Sequence, residues 1–84
     1  MVCANRYVVK DSVQEFFEGK GARVEHMYVG EGQINVIAIG MESFCFTELY
    51  DYLKAKNIDL KVVQLYRVEA VCGKLLVDVW IYFG

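Results

Sequence analysis

Few residues in this 84-residue chain are of a type and spacing that could do chemistry. The stretch YVGEGQINVIAIG (28–40) holds Gly30 and Gly32 as a Gly-x-Gly. A phosphate-cradling fingerprint needs G-x-G-x-x-G between a strand and a helix, so that helix N–H groups meet the pyrophosphate. Here Asn35 stands where a third glycine is needed, and the apolar run that follows reads as a strand. No Lys-Ser/Thr pair completes a P-loop either. Gly30-Glu31-Gly32-Gln33 has the composition of a β-hairpin turn, in which glycine supplies positive φ. The strand-to-helix junction is AIGMESF (38–44), where Glu42 would repel an anion at the helix N-terminus.

His26 is the single histidine, the residue type that titrates near neutral pH. It shares a predicted strand face with Tyr28, and a His–Tyr pair in a cleft could do acid–base work. A lone histidine with no second base more often marks a partly exposed structural position. Cys3, Cys45 and Cys72 are far apart, with no CxxC and no second histidine, so zinc-ligand spacing is missing. No activating base for a cysteine nucleophile is legible. Free, mostly buried thiols in a reducing cytoplasm are expected, with no catalytic residue, metal or cofactor.

Composition narrows the partners. The net charge is −2, with acidic and basic residues interspersed, so no basic stripe exists to neutralise phosphates and nucleic acid is not expected. No apolar run approaches the roughly 18 residues that read as a membrane span. MVCANRYVVK (1–10) lacks the layout of a signal peptide, and a cytoplasmic location is expected. Yet 56% of residues are hydrophobic, above the usual figure of about 45–50%. A small domain cannot easily absorb that much, which points to apolar surface covered by another chain.

The elements that would position these residues follow from periodicity. CANRYVVK (3–10) is rich in β-formers and predicts a first strand. In DSVQEFFEGKG (11–21), Val13, Phe16 and Phe17 share a helical face; Ser12 and Glu15 form a capping-box pattern, and Gly19 and Gly21 end the helix. ARVEHMYV (22–29) alternates, with Val24, His26 and Tyr28 on one face and Arg23, Glu25, Met27 and Val29 on the other. INVIAI (34–39) predicts a central strand. MESFCFTELYDYLKAKN (41–57) carries Phe46, Leu49, Tyr50 and Leu53 at helical spacing, with Ser43 as N-cap and Asn57 as terminator. IDLKVVQLYRVEAV (58–71) predicts a long strand, bulged near Val62–Val63. In LLVDVWIYF (75–83), Leu75, Val77, Val79, Ile81 and Phe83 point to the core; Leu76, Asp78, Trp80 and Tyr82 point away.

A faint repeat lays FFEGKGARVEHMYV (16–29) over YLKAKNIDLKVVQL (52–65), matching Phe17 with Leu53, Gly21 with Asn57 and Val24 with Leu60. The expected fold is a single α+β domain over 1–84. It is ferredoxin-like, β-α-β-β-α-β with an added C-terminal fifth strand, and two helices lie on one face of an antiparallel sheet.

That arrangement leaves a helix-free sheet face, and Trp80, Tyr82, Leu76, Asp78, Tyr66, Tyr28 and His26 are its expected interface residues. RNA-binding sheets stack bases on aromatics in this place, but they also carry a basic glycine–aromatic motif that NVIAIGME lacks. Aromatic residues on an uncovered face pack more plausibly against protein. A buried Asp78 would want Arg6, Arg23 or Arg67 as partner. A last strand at the sheet edge would offer a second contact surface. The expected function is a small non-catalytic interaction module: a homodimer that binds, and regulates or inhibits, a larger protein, in the manner of many viral and mobile-element inhibitors. Two alternatives are a regulatory domain sensing a small metabolite at a dimer interface and a small dimeric α+β-barrel enzyme using His26.

Overall fold

A computed structural model describes residues 5–84. The element order is α1 (Arg6–Gly19), β1 (Arg23–Gly30), β2 (Gln33–Met41), α2 (Phe46–Ala55), β3 (Leu60–Val71) and β4 (Lys74–Phe83). The four strands form one sheet in the order β1-β2-β4-β3, and every neighbouring pair is antiparallel. The fold is α+β, with both helices packed on one sheet face.

The expected strand at 3–10 is corrected: residues 6–10 are the first turns of α1, and residues 3 and 4 lie outside the described residues. The reason is burial. Val9, Val13 and Phe17 are fully buried and Phe16 nearly so, a stripe at i, i+4, i+7 and i+8 that only a helix aligns. That stripe overrides the β-propensity of Tyr7, Val8 and Val9. Asn5, not Ser12, is the N-cap, its Oδ1 accepting from the Tyr7 backbone N–H at 2.8 Å. Ser12 is buried in mid-helix. In α2 the N-cap is Cys45 rather than Ser43, and of the expected stripe Leu49 and Leu53 are buried while Phe46 is 48% exposed.

Without a leading strand, the ferredoxin-like pattern with five strands is not what forms. Among the described residues there are four strands and no parallel pair, and each half runs helix–strand–strand. The last strand, β4, is central and β3 lies at an edge, the reverse of the expectation.

The repeat is real in geometry and longer than its sequence trace. Both helices end in the same Schellman cap. Gly21 (φ 79°) and Asn57 (φ 62°) take the left-handed position. Ala22 N–H reaches Phe17 O at 3.0 Å in one half, and Ile58 N–H reaches Leu53 O at 3.3 Å in the other. These caps are 36 residues apart, as the overlay of Gly21 on Asn57 has it. Within the strands the shift becomes 41. Glu25 is the bulged residue of β1 and Tyr66 a bulged residue of β3, and the turns at Gly32 and Gly73 keep the same separation. β3 has thus gained five residues ahead of its Tyr66 bulge (41 − 36), so Val24 corresponds to Leu65 rather than Leu60.

In the central seam, Val36 pairs with Val79 and Ala38 with Val77, and a shift of 41 exchanges these pairs. The Ile37–Asp78 pair maps onto itself, so a pseudo-two-fold axis normal to the sheet passes through it.

The core lies between this seam and the helices. Ile34, Val36, Ala38, Val77, Val79 and Ile81 are fully buried beneath Val9, Val13, Phe17, Leu49 and Leu53. Phe17 also stacks on Phe44 at 5.8 Å. The bulge at Glu25 puts Val24 on this core side with Met27 and Val29, away from His26, correcting the alternation expected for β1. β3 is bulged at Lys61 and Tyr66, on either side of the expected Val62–Val63.

The two hairpin turns differ in strain. Glu31-Gly32 has positive φ only at Gly32, whereas Cys72 (φ 51°) and Gly73 (φ 78°) are both left-handed, as a type I′ turn requires. Cysteine is a poor residue for that conformation and asparagine a good one. Cys72→Asn should therefore raise unfolding free energy by about 0.5–1 kcal/mol in urea denaturation; no gain would contradict the turn geometry.

Candidate functional site: the open sheet face

The sheet face opposite the helices is built in rows, because directly paired residues on antiparallel strands share a face. From β1 to β3 the rows are Arg23–Ile39–Leu76–Glu69, His26–Ile37–Asp78–Arg67 and Tyr28–Asn35–Trp80–Gln64, ending with Gly30–Gln33–Tyr82–Val62. Leu76, Asp78, Trp80 and Tyr82 thus lie on the open face as the alternation of β4 expected. Tyr28 and His26 join them from β1. Tyr66 does not: it is one of the two bulged residues of the outer strand and is 70% exposed.

The centre of this face is an aromatic cluster. The Trp80 and Tyr82 rings are near-parallel, 16° apart in plane with centroids at 6.2 Å, and Tyr28 leans on Trp80 at 6.1 Å and 56°. Gly30 makes room for this. A Cβ there would stand 2.9 Å from Tyr28 Oη and 3.1–3.2 Å from ring carbons, so the glycine lets the Tyr28 ring lie along its own strand. The Gly-x-Gly divides its work: Gly32 turns the chain and Gly30 seats an aromatic.

Beside the cluster lies a buried polar pair. Asn35 Nδ2 donates to Asp78 Oδ1 at 2.6 Å and to Val79 O at 3.1 Å, with Asn35 7% and Asp78 9% exposed. None of the three arginines expected to pair with Asp78 does so. Arg67 is its direct cross-strand neighbour, but its Nη1 sits 2.8 Å from Glu69 Oε1 instead. Asn35, which sequence reasoning assigned only to a strand, is the missed residue of the site. Its signal was a lone polar residue inside INVIAI.

The remaining candidates are placed apart. His26 is exposed, and Ile37 stands between it and Asp78. Cys45 and Cys72 are exposed free thiols rather than buried ones, and Cys3 lies outside the described residues. Cys45 Sγ is 2.8 Å from Thr47 Oγ1. That contact, helped by the backbone N–H groups of Thr47 and Glu48 at the start of α2, holds the thiol below its ordinary range. Among the described residues no group of His, Cys, Asp and Glu is arranged to hold a metal ion, and no helix is long and apolar enough to cross a membrane.

Comparison of the chain with protein-family models, with curated proteins and with solved structures finds no match.

The role given to Gly30 has a direct test. Gly30→Ala should leave the fold intact, costing about 1 kcal/mol or less because only a side-chain rotamer must change. It should nevertheless move the Trp80 indole resonance by displacing Tyr28. An unmoved indole signal would show that Tyr28 does not depend on the glycine.

Proposed function

We propose that this protein is a small, non-catalytic interaction module, a cytoplasmic homodimer that binds and regulates or inhibits a larger protein. One observation carries the reading. The uncovered sheet face is an ordered cluster of Tyr28, Trp80 and Tyr82 beside a hydrogen-bonded Asn35–Asp78 pair, the mixture of aromatic anchors and placed polar groups typical of recognition surfaces. His26 and Tyr28 share the open face, but both are exposed on the edge strand β1 rather than enclosed in a cleft, which leaves the His–Tyr acid–base reading little support.

The dimer contact in this reading is the flank of β3. This 12-residue edge strand exposes Leu65, Tyr66 and Val68 away from the open face, while its bulges at Lys61 and Tyr66 interrupt simple strand-to-strand extension. Side-chain packing of this apolar flank between two copies fits better than a continuous sheet. The open face is then left for the larger partner.

Light scattering behind size exclusion, at low and high concentration, tests the division. Wild type should have the mass of a dimer at high concentration. Val68→Glu should be monomeric, and Trp80→Ala should remain a dimer with unchanged circular dichroism. A wild-type monomer throughout would remove the dimer, and loss of the dimer in Trp80→Ala would reassign the open face to self-association.

A further inference from the structure

The pseudo-two-fold singles out Asp78 and Asn35. A shift of 41 makes Ile37 the counterpart of Asp78 and Leu76 the counterpart of Asn35, all four on the open face of the central strands. The two-fold thus maps the Asn35–Asp78 pair, an amide and a carboxylate, onto the Leu76–Ile37 pair, which is wholly apolar, each pair drawing one residue from each half. The backbone setting accepts isoleucine and leucine, so the fold does not require the polar pair. Withdrawing a carboxylate from water carries a cost that one amide donor offsets only in part. Asp78 is about nine-tenths buried, with Oδ1 engaged by Asn35 and its cross-strand cation, Arg67, bonded to Glu69.

The aromatic ladder points the same way. Tyr82 and Trp80 stack at alternate positions of β4, and the next alternate position is Asp78. A planar cation at that rung would stack on Trp80 and present N–H donors to the carboxylate. Guanidinium meets both demands, being flat, permanently charged and weakly hydrated, whereas an ammonium satisfies only the charge.

We propose that the open face docks an arginine side chain of the partner protein, its guanidinium stacked on Trp80 and hydrogen-bonded to Asp78, with Asn35 fixing the carboxylate. The inference rests on reading this face as a docking surface and adds the chemistry of its central contact. The other charged or titratable groups in the Asp78 row are Arg67, which Glu69 draws away, and His26, on the far side of Ile37. Neither occupies the rung above the carboxylate.

The test is an NMR titration with two blocked amino acids, N-acetyl-arginine amide and its uncharged isostere N-acetyl-citrulline amide. Trp80 is the sole tryptophan, so its indole N–H signal is unambiguous, and the Asn35 side-chain amide reports on the carboxylate. The arginine compound should shift both signals saturably, and the citrulline compound should not. Asp78→Asn keeps an acceptor for Asn35 and should fold, yet bind the arginine compound about tenfold or more weakly through loss of a charge-assisted bond. Trp80→Leu should weaken it independently. Equal response to both compounds, or undiminished binding by Asp78→Asn, would overturn the proposal. Such a failure, with a dimer that Trp80→Ala leaves intact, would remove the arginine contact alone; loss of that dimer would instead remove the docking surface on which the contact rests.

Discussion

The seam between β2 and β4 is the interaction on which the molecule depends. Each helix–strand–strand half has an apolar helix stripe and one two-stranded hairpin, and an isolated hairpin is marginal in water. Pairing β2 with β4 makes four strands and closes Ile34, Val36, Ala38, Val77, Val79 and Ile81 into one floor beneath both helices. Such burial is worth roughly 1.5–3 kcal/mol per large aliphatic side chain, which can offset the ordering of so short a chain only when both halves contribute. The same seam brings Asn35, from the first half, against Asp78, from the second. The candidate site therefore exists only in the assembled fold.

The pseudo-symmetry separates what the fold demands from what it tolerates. The shared cap at Gly21 and Asn57, the bulges at Glu25 and Tyr66, and the left-handed glycines at the two turns recur because the backbone requires them. The open face breaks the symmetry. Ile39 in one half corresponds to Trp80 in the other, and Ile37 to Asp78, so the aromatic and acidic character is concentrated in β4. The extra residues of β3 extend the edge by which the molecule meets its own copy in the proposed dimer.

The parts of the fold legible in the sequence were those where one side-chain pattern had one explanation. The alternation of β4 assigned its two faces correctly because that strand carries no bulge. In α2 the buried Leu49 and Leu53 and the Asn57 terminator were likewise readable, whereas Phe46 is exposed and Cys45 replaces Ser43 as the cap. Where two signals competed, local propensity misled: Tyr7, Val8 and Val9 favour a strand by type, but Val9 belongs with Val13 and Phe17 on a buried helical stripe. The capping asparagine at position 5 was the available sign. Bulges were the other obstacle. A single inserted residue at Glu25 reverses the face of everything before it, and no local composition marks it. For the site, Trp80, Tyr82, Leu76, Asp78, Tyr28 and His26 were placed on the open face correctly, while Tyr66 was lost to its bulge. Asn35 was missed because its partner is 43 residues away.

In the proposed dimer the open face stays uncovered and is reserved for a different protein. The fluorescence of Trp80, the sole tryptophan, reads this directly. Its emission and its quenching by acrylamide should be measured across the concentration range in which mass changes from monomer to dimer. An indole left open in the dimer should show the same emission and the same quenching at both ends. A shift to shorter wavelength with loss of quenching as concentration rises would place Trp80 in the self-interface and contradict that arrangement.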